Sequence, residues 1–112
     1  MVEDDPATLA ALRKIFSRLG WEVQSSTTVA GGLDLLRLCP QALILDLMLP
    51  DGDGLDVLRQ VRAENLSIRV AITTGAHDGE RLEAARRLGP DDLIRKPIEL
   101  DRLVQAIGPA RP

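Results

Sequence analysis

Aromatic side chains are almost missing: Phe16 and Trp21 are the two present, and there is no tyrosine. A base-stacking platform for single-stranded nucleic acid needs more. A basic surplus is missing too. The formal net charge is −3, which gives no attraction to a phosphate backbone. Cys39 stands alone, so the chain can close no disulfide on itself and build no cysteine metal cluster, which suits a reducing cytoplasm. No apolar run approaches the roughly 20 residues of a membrane span, and no leader pattern opens the sequence. Nucleic-acid binding by this chain and membrane insertion are therefore not expected. The 112 residues suffice for one domain over 1–112 with a single packed core, and residues 108–112 read as a frayed tail.

What is present alternates between two periods. Asp5-Pro6 has the form of a helix start, with Asp as N-cap and Pro at the first helical position. Leu9, Leu12, Phe16 and Leu19 then make one apolar stripe, closed by Gly20. Trp21 and Val23 alternate with polar neighbours as in a short strand. Val29, Leu33 and Leu36 predict a second helix that ends before Pro40. Residues 42–45 are continuously apolar, as in a strand buried on both faces. The stretch Pro50-Asp51-Gly52-Asp53-Gly54 is a loop by composition. Leu55, Leu58 and Val61 mark a third helix, and residues 68–73 a strand. Residues 82–88 form a helix stopped by Gly89-Pro90, Leu93 and Ile94 a short strand, and the stripe from Ile98 to Ile107 a last helix. This alternation predicts βαβ units: a doubly wound parallel sheet with helices on both faces. Before Asp5 only Met1 and Val2 are available for strand, so the first strand is expected to be short.

Active groups of such a sheet gather at the carboxyl ends of its strands. Those ends carry Glu3, Asp4 and Asp5, then Asp46, then Thr73 and Thr74, then Lys96 before Pro97. Carboxylates brought together repel and call for a cation, and hard oxygen donors favour Mg²⁺. A carboxylate can attack phosphorus to give an aspartyl-phosphate. A lysine and a metal can neutralise the phosphoryl oxygens, and a threonine hydroxyl can bond one of them. Other residues take ordinary roles. Asp5 is the cap, Asp51 and Asp53 form the loop, His77 is a solvated loop residue, and Cys39 reads as a small buried hydrophobe.

The motifs Val2-Glu3-Asp4-Asp5-Pro6, Leu45-Asp46-Leu47-Met48-Leu49-Pro50-Asp51-Gly52-Asp53-Gly54, Thr74-Gly75 and Lys96-Pro97 together resemble the receiver domains of two-component response regulators (the CheY-like, flavodoxin-like family). The resemblance implies five parallel strands in the order 2-1-3-4-5. It implies Asp46 as phosphoacceptor, with Lys96 pairing the phosphoryl group and Thr74 moving toward it. Mg²⁺ would be held by Glu3, Asp4, Asp46 and the backbone carbonyl of Met48. The implied donor is a sensor histidine kinase or a histidine phosphotransfer protein, and the output passes to an effector domain or downstream protein, with a phosphorylation-linked dimer as a further possibility. Such a chain catalyses only its own phosphorylation and dephosphorylation. This sequence departs from the pattern at four places. Leu93 stands where the family has an aromatic switch residue, Gly75 where Ala is usual, Ile98 where Phe follows Lys-Pro, and Ala106 where the DNA-binding branch has an arginine. Met48 and Ala76 fall where side chains border the attacking water, and neither can orient it, so slow self-dephosphorylation is expected. A receiver-like binding module without phosphate chemistry, and a phosphatase or flavin protein of similar fold, are the competing readings. A phosphatase would want a second Asp where Met48 stands, and a flavin site a Gly/Ser/Thr-rich loop where the acids stand.

Overall fold

The computed structural model describes residues 1–75 and 79–110. Its elements, in chain order, are α1 (Pro6–Arg18), α2 (Val29–Leu35) running into a 3₁₀ turn (Leu36–Leu38), β1 (Ala42–Asp46), a small antiparallel hairpin of β2 (Met48–Leu49) and β3 (Gly52–Asp53), α3 (Leu55–Ala63), β4 (Arg69–Thr74), α4 (Gly79–Arg87), β5 (Asp92–Arg95) and α5 (Leu100–Ile107). Among the described residues β1, β4 and β5 form a parallel sheet in that order. Val2 and Ser26 extend it by single parallel bridges, Ser26 to Val2 and Val2 to Leu45. Read across the sheet, Ser26, Val2, β1, β4 and β5 reproduce the expected order 2-1-3-4-5.

The core lies on both faces, because successive strand residues point to opposite sides. Leu43 and Leu45 of β1 and Val70 and Ile72 of β4 pack with Leu55, Leu58 and Val61 of α3. Ile44, Ala71 and Ile94 pack on the other side with Leu12 and Phe16 of α1 and Leu103 of α5. This is why the residue 42–45 run has no polar alternation. The α1 start is as expected: Asp5 caps the helix by accepting from the Thr8 amide at 3.1 Å, with Pro6 beside it.

Two expectations are corrected. Residues 21–23 form no strand, and that flank meets the sheet at Ser26, with the Met1 amino group also donating to Gln24 O at 2.7 Å. The alternation there is real, but it reflects Trp21 and Val23 leaning on the α1–α5 cluster rather than a paired backbone. Cys39 is exposed, not buried, because it follows the 3₁₀ turn in the left-handed region at φ 52°. In the segment expected to fray, Gly108 O accepts from Trp21 Nε1 at 2.8 Å, and the Ala110 amide donates to Leu19 O at 3.2 Å. His77, Ala76, Arg111 and Pro112 lie outside the described residues. No helix among the described residues is long and apolar enough to cross a membrane.

Candidate phosphoryl and metal site

Four strand ends deliver the site. Asp46 is the last residue of β1, and its side chain is 3% exposed. Its neighbour in register on β4 is Thr73. Glu3, one residue past the Val2 bridge, is equally buried, while Asp4 is exposed. Each of the three carboxyl groups offers an oxygen within 4.8 Å of the others. Lys96 follows β5, and its amide donates to Thr74 O at 2.8 Å, which pins the residue beside β4; the Lys96-Pro97 bond is cis.

The Lys96 ammonium donates to Asp46 Oδ2 at 2.8 Å and to Glu3 at 3.3 and 3.4 Å. Burial alone would lower the lysine pKa, but the hydrogen bond and charge of Asp46, with Glu3 behind them, raise it above its ordinary value. Glu3 is pushed up, first by burial and then by the negative charge of Asp46. Two buried carboxylates therefore share one lysine, and a buried charge left unpaired is costly. The group fits a small divalent cation: three hard oxygen donors converge, and the exposed Asp4 keeps one side open to water.

The remaining predicted residues frame this centre. The Met48 amide donates to Asp46 Oδ1 at 3.2 Å, and the Met48 side chain is exposed at the rim beside Arg81, which also pairs with Asp53 at 3.8 Å. Thr74 ends β4, is buried, and its hydroxyl donates to Gly75 O at 3.4 Å. Thr73 buries a hydroxyl for which the described residues supply no hydrogen bond. Asp5 turns away to its cap.

Two supporting residues escaped the sequence reading. Asp51 accepts from the Val29 and Ala30 amides at 2.7 and 3.1 Å, so it caps α2 from a loop more than 20 residues distant. A cap so far away in sequence leaves no local signature. Gly54 packs so closely under the site that a Cβ there would lie 2.0 Å from the Asp46 carbonyl oxygen. Its φ of −57° needs no glycine, so the requirement is space alone.

Comparison with known proteins places these features. The response regulator receiver domain family matches residues 1–108, and the chain belongs to that family. It is 35% identical over 105 residues to the TorCAD operon transcriptional regulatory protein TorR of Escherichia coli O157:H7, covering 93% of this chain and 45% of TorR. It is 33% identical over 107 residues to the response regulator MprA of Mycobacterium leprae, covering 95% of this chain and 47% of MprA. The chain thus spans about half the length of the curated relatives it matches. Among solved structures, a response regulator receiver domain protein from Clostridium thermocellum superposes with a TM-score of 0.84 at 26% identity, over 95% of this chain and 86% of that one. The chain is a receiver domain of two-component response regulators. Receiver domains take phosphoryl groups from histidine kinases and bind Mg²⁺ at an acidic pocket, and in this chain Glu3, Asp4 and Asp46 form an acidic cluster that could hold a metal ion.

Proposed function

We propose that Asp46 is the phosphoacceptor and that this chain works as a phosphorylation switch in a cytoplasmic phosphorelay. The observation that carries the reading is the pairing of a buried strand-end carboxylate with the Lys96 ammonium at 2.8 Å, inside the acidic cluster. An Asp46 carboxylate oxygen attacks phosphorus in line, the bond from phosphorus to the donor imidazole breaks, and the imidazole nitrogen leaves with the electron pair. Lys96 stays on the oxygens that gain charge. A Mg²⁺ ion held by Glu3, Asp4, Asp46 and the Met48 carbonyl would neutralise the rest of that charge. Thr74, at the end of β4, is the hydroxyl suited to bond a phosphoryl oxygen. The donor is a sensor histidine kinase or a histidine phosphotransfer protein. The output goes to an effector domain or a separate downstream protein, and a phosphorylation-linked dimer is one form it can take. Catalysis is confined to the chain's own phosphorylation and dephosphorylation.

The test is intact mass after incubation with acetyl phosphate or phosphoramidate and Mg²⁺. One phosphoryl adduct is expected, mapped to Asp46 and absent from Asp46→Asn. No adduct under conditions that label an ordinary receiver domain sinks the reading.

A further inference from the structure

The acidic cluster gives Asp46 a negative setting. Glu3, Asp4 and Asp46 supply three carboxyl groups, and the Lys96 ammonium already bonds to Asp46 and Glu3. A phosphoryl donor is itself an anion, so like charges meet at the entrance. Among the described residues a further cation stands at the rim. The Arg81 guanidinium lies against the Met48 sulfur, and the Met48 amide donates to Asp46 Oδ1 at 3.2 Å. One side chain thus separates the guanidinium from the residue that touches the Asp46 carboxylate.

The helix does not call for an arginine here. Arg81 is the third residue of α4, and a cation in the first turn opposes the helix dipole. Its pairing is loose. Arg81 Nε stands 3.8 Å from Asp53 Oδ2, beyond hydrogen-bond reach, and both side chains are partly exposed, a geometry that contributes little. Asp53 has its own task, since its Oδ1 accepts from the Leu55 amide at 2.9 Å at the start of α3. A thioether is a weak acceptor. Among the described residues the guanidinium therefore spends its donors on one weak acceptor and one distant carboxylate.

We propose that Arg81 sets which phosphodonors Asp46 accepts: its guanidinium fork takes two phosphoryl oxygens of a small acyl phosphate and holds the phosphorus toward Asp46. The role rests on Asp46 as the acceptor. A planar fork matches phosphate oxygens in pairs, which an ammonium does not. An Asp46 oxygen attacks phosphorus, the phosphorus–oxygen bond to the acyl group breaks, and the carboxylate leaves with the electron pair. Arg81 keeps its protons throughout. The long contact to Asp53 is given up without leaving that carboxylate unpaired, because the Leu55 amide stays on it. The more negative the donor, the more Arg81 contributes.

The parent chain, Arg81→Gln and Arg81→Lys are labelled at saturating Mg²⁺ with either acetyl phosphate or phosphoramidate, and initial rates are read by intact mass. Acetyl phosphate carries more net negative charge, because the nitrogen of phosphoramidate is protonated in neutral solution. Arg81→Gln is expected to slow labelling by acetyl phosphate roughly tenfold and labelling by phosphoramidate about twofold. The ratio of the two rates is insensitive to loss of folded protein, which slows both donors alike. Added salt slows the parent with acetyl phosphate more than it slows Arg81→Gln. Arg81→Lys keeps the parent's salt response and recovers part of the rate. A donor ratio unmoved in Arg81→Gln overturns the proposal, and so does an equal response to salt in all three forms. No label from either donor on any form overturns the reading of Asp46 itself, whereas label on Asp46 with an unmoved donor ratio overturns the role of Arg81 alone.

Discussion

At the scale of single residues the site is a balance of charge. Glu3 and Asp46 are both nearly covered, and Lys96 serves both. A cation that binds only the folded state stabilises it by RT ln(1 + [L]/Kd), about 2.7 kcal/mol at a hundredfold excess over Kd. Millimolar Mg²⁺ is therefore expected to raise the Tm, and Asp4→Ala to remove that rise, as followed by Trp21 fluorescence. A Tm that ignores Mg²⁺ counts against the metal role. Glu3 gives a second prediction. Its pKa is raised in the folded state, so over the window from its ordinary value of 4.5 up to the folded value the native protein binds more protons than the unfolded chain. Stability contributed there falls as pH rises, and the cost of the ionised group is complete above the folded pKa. In EDTA, Glu3→Gln is expected to raise the Tm at pH 7 and to flatten the decline of Tm that begins near pH 4.5. An unchanged slope contradicts the burial argument. The residues of this centre were legible because each sits at the end of an apolar run, where strand direction alone brings them together. Their burial was not legible, since a composition of acids says nothing about which of them is covered.

Among elements, the connection from β1 to α3 does most to set the site. The chain leaves Asp46, makes the β2–β3 hairpin and returns so tightly that the Gly54 amide donates to Leu47 O at 2.9 Å. Gly54→Ala would place a methyl group against the Asp46 carbonyl, where backbone rather than a flexible side chain must give way. Overpacking of this kind costs about 1–3 kcal/mol. A lower urea midpoint at unchanged m is expected, together with a slower rate of labelling by acetyl phosphate, because the displaced carbonyl belongs to Asp46, the proposed acceptor. A variant as stable and as fast as the parent would show that the loop relaxes freely. The loop composition announced a turn but not this contact, which depends on how α3 packs on the sheet. The same holds for Asp51. Its turn-forming character was plain, yet the helix it caps is brought to it only by the finished fold. Residues 21–23 show the opposite error: a period of two marks half-buried side chains, and a strand needs a backbone partner as well.

For the whole molecule, the question is whether the two faces of the sheet fold as one. Ile44 and Ala71 lie in one cluster while their strand neighbours Leu43, Leu45, Val70 and Ile72 lie in the other, so β1 and β4 belong to both. A cluster that loses its helices leaves the shared strands with one bare apolar face, at roughly 25 cal/mol for each Å² exposed. That coupling predicts a single cooperative transition, the usual behaviour of small domains. Trp21 makes it measurable, because it packs in the α1–α5 cluster and bonds to Gly108 O. Leu58 is fully buried in the other cluster, on α3. Leu58→Ala should cost about 2–5 kcal/mol, a large share of the stability of a domain this size. The loss should appear equally in Trp21 fluorescence and in far-ultraviolet circular dichroism, although the mutated residue and the reporter lie on opposite faces. Coincident urea curves, both moved to lower midpoint, are the expected result. If the circular dichroism transition moves and the Trp21 transition stays, the α1–α5 side holds its structure without the α3 side, and the shared strands do not couple the faces.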